Sequence, residues 1–127
     1  MYNDFECINA NFNLILGCSA VVVALKNEVL NKLGFLQGTY LISTTVNGKP
    51  SWISGDYAIW FRQSGIWIIG NLNQIGQNSA WMYAHKDITE LIANENHWKW
   101  YTEHGWELAP NDISVSCQGT FSNFSCM

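Results

Sequence analysis

Charge is scarce in this sequence. Charged residues make up 13% of its 127 residues, about half of the roughly 25% that is usual in soluble proteins. Arg62 is the only arginine, and the lysines are scattered along the chain without forming a run. A protein that binds nucleic acid or an anionic membrane surface needs clustered cations, because neutralising phosphate charges provides much of its affinity. We therefore expect neither kind of partner, and the net charge of −4 agrees with this.

The chain also lacks a hydrophobic run that could cross a membrane. Its longest apolar stretch, residues 14–25, is shorter than the roughly 20 residues that a spanning helix needs. The stretch does not fit a secretory signal peptide either, because the residues before it contain Asp4 and Glu6 and no basic residue. Residues 20–25 are rich in β-branched side chains and predict a buried strand. We predict no membrane insertion.

Linkers and low-complexity segments are absent as well, and the chain contains only two prolines. Its length fits one domain. Its seven Trp, five Tyr and six Phe residues, together with the low charge, are typical of a folded domain and not of a disordered chain. We predict an N-terminal extension over residues 1–17, a single β-rich domain over 18–117 and a C-terminal tail over 118–127.

The four cysteines lack the two-residue spacing of zinc knuckles and redox motifs. Cys7 and Cys18 lie near one end of the chain, and Cys117 and Cys126 lie near the other. This distribution favours two disulfides, for which three pairings are possible; the alternative is free thiols, with Cys18 and Cys117 as buried core residues. Disulfides indicate an oxidising compartment, and the single glycosylation sequon, at Asn123, agrees. We predict an extracellular or secreted location, within a larger protein or assembly.

Tight turns divide the sequence into short strands. Asn47-Gly48 separates residues 40–46 from residues 49–54, and this dipeptide favours the type I′ turn of a β-hairpin. Pro50 cannot donate a hydrogen bond to a neighbouring strand. We therefore expect the returning strand to be an edge strand or to be bulged at its start.

Two segments fit short helices. Residues 27–33 end before Gly34, a usual C-terminal cap, although a loop is the alternative for this segment. Residues 87–90 resemble the capping box of a second helix. Residues 66–69 are apolar on both faces, which predicts a central strand that is covered on both sides. The predicted fold is mostly β: an antiparallel meander or small sandwich of about seven short strands, with one or two short helical segments.

Several motifs follow one another in an order that is characteristic of a known module. They are Gly-Thr-Tyr at 38–40, Asn-Gly-Lys-Pro-Ser-Trp at 47–52, Tyr-Ala-Ile-Trp-Phe at 57–61, Trp-Ile-Ile-Gly at 67–70, the pair Trp98 and Trp106, and Ile-Ser-Val-Ser-Cys at 113–117. Together they resemble a poorly characterised β module that occurs singly or repeated in marine invertebrate and protist proteins. Its pattern is GxY…NGRPxY…YLYY…WxIG…W…W…IxV.

The resemblance covers residues 18 to 117, with a few departures. Lys49 stands where the module usually has Arg, Trp52 where it has Tyr, and Trp60-Phe61 where it has two tyrosines. These changes are conservative for a fold but would alter a binding surface. The module has no established activity, so the resemblance implies a β architecture and an extracellular, modular setting without implying a chemistry.

Catalytic motifs are missing. No serine lies in a nucleophile-elbow pattern, and no glycine-rich phosphate loop is present. His85, His97 and His104 lack the i, i+4 spacing of a helical metal site; a site built from His97, Glu103 and His104 is the alternative to solvated histidines. We predict a protein that is not an enzyme and that uses no cofactor or metal. An enzyme would require acids or histidines that converge in a cleft.

Aromatic side chains on a β face are the remaining candidates for a binding site. Because strand side chains alternate, Trp60 and Arg62 share one face of their strand, and Trp98 and Trp100 share one face of theirs. An exposed Trp or Tyr offers a sugar ring or a protein a large apolar area at little entropic cost. Trp67 and Trp106 are expected to belong to the core.

The leading interpretation is a non-catalytic extracellular module that binds a protein or a glycan. Its predicted binding residues are Trp52, Trp60, Arg62 and Trp100. An exposed cluster of at least two of them would support this interpretation. The alternative is a structural repeat unit of a matrix, coat or adhesive protein, which predicts no exposed aromatic patch and pairing through an edge at Pro50. A small enzyme is the third possibility.

Overall fold

The computed structural model describes residues 18–84 and 91–118. Within these ranges the chain forms one antiparallel sheet of nine strands and one short α-helix. The strands are β1 (Ala20–Leu25), β2 (Gly38–Val46), β3 (Lys49–Ser54), β4 (Tyr57–Phe61), β5 (Trp67–Asn71), β6 (Met82–Ala84), β7 (Trp98–Thr102), β8 (Gly105–Leu108) and β9 (Ile113–Cys117), and the helix is α1 (Asn27–Leu33). The mostly β meander is confirmed, with nine strands where about seven were expected.

The strand order explains why the sheet curls. Strands β1 to β7 each pair with the next strand in sequence, and β9 returns to pair with β1. The two edges of the sheet are therefore β8 and β9, which are consecutive in sequence and joined only by residues 109–112. Since so short a connection spans less than about 17 Å, the two edges must lie close together, and the sheet forms a curled half-barrel.

The inner face of the half-barrel holds the main core. A row of directly paired residues crosses it from β2 to β7: Ile42, Trp52, Ile59, Ile69, Met82 and Trp100. Trp67 lies beside this row, with its ring centroid 5.9 Å from that of Trp52 and 5.0 Å from that of Phe61. Trp67 is 2% exposed, which confirms it as a core residue.

Helix α1 forms where the sequence predicts it and packs into the same core. Val29 and Leu33 are its buried residues, and a 3₁₀ turn over Gly34–Leu36 follows. The carbonyl oxygen of Leu36 accepts a hydrogen bond of 2.6 Å from the Tyr40 hydroxyl. Burial raises the pKa of this hydroxyl above its ordinary value, and the neighbouring Tyr57 raises it further.

The outer face carries a second, smaller cluster, which consists of Ala58, Trp60 and Ile68. Residues 71–80 cross over it, and Leu72, Ile75 and Ala80 pack against it. The Trp60 indole Nε1 donates a hydrogen bond of 3.0 Å to the carbonyl oxygen of Gln77 within this loop. Strands β4 and β5 are therefore covered on both faces, as the apolar sequence of residues 66–69 predicts.

The β2–β3 hairpin turns at Asn47-Gly48, where both residues have positive φ, 53° and 84°, as a type I′ turn requires. Strand β3 pairs with β2 on one side and β4 on the other, so the expectation of an edge strand at Pro50 is wrong. The alternative expectation, a bulge at the start of β3, is wrong as well, because Lys49 and Pro50 pair directly with Val46 and Thr45. The register shifts further along, between Ile42 and Thr45, and the extra residue belongs to β2. The Ser51 hydroxyl donates a hydrogen bond of 2.6 Å to the Thr44 carbonyl at this irregularity.

A disulfide joins Cys18, just before β1, to Cys117 at the end of β9. It links two neighbouring strands whose cysteines are 99 residues apart in sequence. Cys7, Cys126, the Asn123 sequon and the capping box at 87–90 lie outside the described residues. No helix within residues 18–84 and 91–118 is long and apolar enough to span a membrane.

Candidate functional site

The structure does not bring the four predicted binding residues onto one surface. Trp52 is 3% exposed and lies on the inner face, where its indole Nε1 donates a hydrogen bond of 2.8 Å to the Cys18 carbonyl. Trp60 is fully buried on the outer face beneath residues 71–80. Trp100 packs against the inner core and is half-buried. Of the four, only Arg62 lines a cleft on the outer face.

Aromatic side chains that reach solvent do occur on the outer face; they are exposed on β7 and β8 and half-buried on β6. Tyr83, Tyr101 and Trp106 form this outer cluster. The ring centroid of Trp106 lies 4.7 Å from that of Tyr83 and 5.4 Å from that of Tyr101, and both contacts are edge-to-face. Tyr101 is 64% exposed. Edge-to-face contacts hold aromatic rings in defined positions, so the cluster presents an ordered apolar surface to solvent.

The prediction that Trp106 belongs to the core is wrong, since its side chain is 37% exposed. Trp106 pairs directly with Tyr101 across the β7–β8 hairpin, which places both residues on the outer face. Residues 71–80 cover β4 and β5 but not the edge strand β8. The alternation of β7 contained the signal for this arrangement, because Trp98 and Trp100 face inward and Tyr101 must then face outward.

A cleft of about 320 Å³ adjoins the outer cluster. Its walls combine apolar side chains with two polar ones: Ile66, Ile68, Ala80, Tyr83 and Trp106, and Arg62 and Asn78. The Arg62 Nη1 donates a hydrogen bond to the Asn78 side-chain oxygen. The Arg62 Nε is buried, and the structure gives it no acceptor within the described residues. We call this the outer cleft.

A second group of aromatic side chains lies apart from the outer cluster and consists of Phe35, Tyr57 and Trp81. The ring of Phe35 lies 5.3 Å from that of Tyr57 and 5.1 Å from that of Trp81. The Trp81 indole Nε1 donates a hydrogen bond of 2.9 Å to the Asn71 side-chain oxygen. Trp81 is 40% exposed, and its solvent exposure is therefore similar to that of Trp106.

Acidic residues converge at a third place, a cleft of about 500 Å³ beside α1 and the β7–β8 hairpin. Glu28, Glu103, Glu107 and His104 line it together with Trp100. The His104 Nε2 lies 3.5 Å from a Glu103 carboxylate oxygen, yet the two side chains are 74% and 86% exposed. Enzymes separate an acid from a base by placing them in different shielded environments, and water surrounds both of these groups.

The metal site considered for His97, Glu103 and His104 is not assembled. In residues 18–84 and 91–118, no three His, Cys, Asp or Glu side chains gather closely enough to hold a metal ion.

No protein-family model, curated protein or solved structure matches this chain. The function has to be inferred from the geometry of its own side chains.

Proposed function

We propose that this domain is a non-catalytic binding module that recognises a glycan through the outer cluster and the outer cleft. The observation that carries the proposal is the exposure of Tyr101 and Trp106, 64% and 37%, in an ordered edge-to-face group beside a concave cleft. Large aromatic side chains are usually buried. A group of them on a surface, held rigid by one another, is typical of a recognition site.

The composition of the cleft favours a glycan over a protein. A sugar ring has an apolar face and hydroxyl groups around its edge, so it needs aromatic walls next to hydrogen-bonding side chains. Trp106 and Tyr83 supply the walls, and Arg62 and Asn78 supply the polar groups. A stable protein interface involves about 20–30 residues on each partner, whereas seven described residues line this small concavity.

The two alternatives receive less support. A structural repeat unit was expected to expose no aromatic patch and to pair through an edge at Pro50. The outer cluster is exposed, and β3 lies inside the sheet. An enzyme would need shielded acids or bases, and the acidic cleft beside α1 leaves Glu103 and His104 in solvent.

An extracellular location remains part of the proposal. The Cys18–Cys117 disulfide is compatible with it, because disulfides persist in oxidising compartments. The resemblance to the marine and protist module stays a prediction that agrees with this location.

Binding to an array of neutral, carboxylated and sulfated glycans tests the proposal. We expect the full chain to bind a subset of the array, and we expect Trp106→Ala to weaken that binding at least tenfold, because the main stacking surface is lost. Trp81→Ala is the matched control: it removes an indole of similar exposure outside the outer cluster and should leave binding unchanged.

Thermal unfolding of both variants separates loss of the site from loss of the fold. Trp106→Tyr, which keeps an aromatic ring, should retain part of the affinity. The proposal is wrong if the wild-type chain binds no glycan on the array, or if Trp106→Ala and Trp81→Ala behave alike.

A further inference from the structure

We infer that Arg62 makes the outer cleft selective for a sugar that carries a carboxylate, such as a uronic or sialic acid residue. This inference rests on the proposed function and names the class of glycan. It is carried by the surroundings of the guanidinium group, which has no carboxylate partner among residues 18–84 and 91–118, unlike most half-buried arginines.

Arg62 is the only arginine of a chain with ten acidic and six basic residues. Despite this excess of acids, the only close contact between a basic and an acidic side chain recorded within the described residues joins His104 to Glu103. The one side-chain partner of Arg62 there is the neutral amide oxygen of Asn78. A partly buried cation is normally paired with a carboxylate, whereas the described part of the chain gives the positive charge of the outer cleft only an amide oxygen.

The hydrogen bonding of the guanidinium is also incomplete. Its Nε is buried, with no acceptor among the described residues. An unpaired buried donor is unfavourable, and more so when the donor is charged. The Asn78 side chain is exposed, so it can move aside for a ligand. A carboxylate matches the planar, forked guanidinium better than an amide oxygen does, because it can accept two N–H groups at once.

The rest of the cleft fits the ring of such a sugar. None of the described residues that line the outer cleft is acidic, and its remaining walls are apolar or aromatic. Lys99 lies directly across from Tyr83 on the same outer face and adds a second positive charge nearby. A ligand with one ring against Trp106 and one negative charge at Arg62 would therefore satisfy both features of the site.

The glycan array tests the inference with three variants. For wild type, we expect the bound glycans to carry a carboxylate. Arg62→Gln, which removes the charge but keeps hydrogen-bonding groups, should lower those signals at least tenfold. Arg62→Lys keeps the charge without the fork and should give an intermediate result. Lys26→Gln, at the exposed residue before α1, removes a positive charge that lines neither the outer cleft nor the acidic cleft and should change nothing.

A measurement in solution isolates the contribution of the ligand's carboxylate to binding. Titration calorimetry compares the strongest carboxylated glycan with its methyl ester, in which a neutral ester replaces the charged carboxylate. We expect esterification to weaken binding to wild type at least tenfold and to have little effect on Arg62→Gln. Raising the salt concentration should weaken binding of the acid more than binding of the ester.

The possible failures are distinguishable. If neutral or sulfated glycans bind best, or if Arg62→Gln leaves carboxylated glycans bound, the inference about Arg62 is wrong, while the dependence on Trp106 still supports a glycan-binding module. If no glycan binds to wild type, both the inference and the proposed function are wrong.

Discussion

Gly70 and Trp60 are packed so closely on the outer face that no side chain fits at position 70. A Cβ atom on Gly70 would lie 2.9 Å from the Trp60 Cη2 and 2.8 Å from the Ser79 carbonyl oxygen. The glycine leaves room for the indole between β5 and the loop over residues 71–80. We therefore expect Gly70→Ala to destabilise the fold by about 1–3 kcal/mol, the usual range for an overpacked core.

Urea denaturation measures this effect, and Gly34→Ala is the control. Gly34 has φ of −56°, and the nearest atom to its Cβ position is a Leu30 side-chain carbon at 3.5 Å. That substitution should be neutral or stabilising, because it only reduces the freedom of the unfolded chain. Equal effects of the two substitutions would contradict the close packing at Gly70.

Trp60 also anchors the loop over residues 71–80 through its hydrogen bond to Gln77. Trp60→Phe keeps the apolar ring but removes the donor, so we expect this loop to open more often. Hydrogen exchange should accelerate at the Ile75 and Gln77 amides, which donate to carbonyls within the loop. Trp52→Phe removes an equivalent bond on the inner face and should not change these two amides selectively. If the two variants exchange alike, Trp60 does not hold the loop.

The Cys18–Cys117 disulfide should stabilise the domain by about 2–4 kcal/mol, because it constrains the unfolded chain across 99 residues. The measurement is denaturation with and without reductant, in a background where Cys7 and Cys126 are serine. Alkylation followed by intact mass should detect no free thiol in this background until reductant is added. Labelling of both cysteines in the native protein would contradict the disulfide.

Tyr40 should make the fold sensitive to alkaline pH. The folded state raises the pKa of Tyr40 above its ordinary value of 10.0 through burial, so it holds the proton more tightly than the unfolded state does. The free energy of unfolding is then at its full value below about pH 10 and falls as the pH rises above it, by up to about 1.4 kcal/mol per unit.

Denaturation between pH 8 and pH 11 checks this dependence. Tyr40→Phe should flatten the decline, although it also loses the hydrogen bond to Leu36 and so lowers stability at neutral pH. Tyr101→Phe removes an exposed tyrosine and should leave the slope as in wild type. If Tyr40→Phe does not change the decline of unfolding free energy with pH, groups other than Tyr40 cause that decline.

The features that depend on residues close together in the sequence could be predicted from the sequence alone. Asn47-Gly48 determines its own turn, because both residues adopt positive φ readily. The alternation of residues 57–62 places Trp60 and Arg62 on one face, and the structure confirms this. Helix α1 follows from the spacing of Val29 and Leu33, whose side chains are buried.

The features that depend on distant contacts could not be predicted. Alternation shows that Trp60 and Ile59 face opposite ways, but it does not show that residues 71–80 fold back over Trp60. The same limit applies to Trp106, which is exposed because β8 is an edge strand, and edge position is a property of the whole sheet. The outer cleft joins residues from four separate segments, so no local pattern indicates it.

The pairing of the first strand with the last has a consequence for biosynthesis. Val21 in β1 pairs with Cys117 in β9. The backbone hydrogen-bonding groups on this side of β1 therefore stay unpaired until almost the whole domain has left the ribosome. During translation the growing chain carries an unpaired strand edge, and such edges recruit strands from other molecules. Chains that stop before residue 113 keep this edge permanently open, and crowded nascent chains would aggregate through β1.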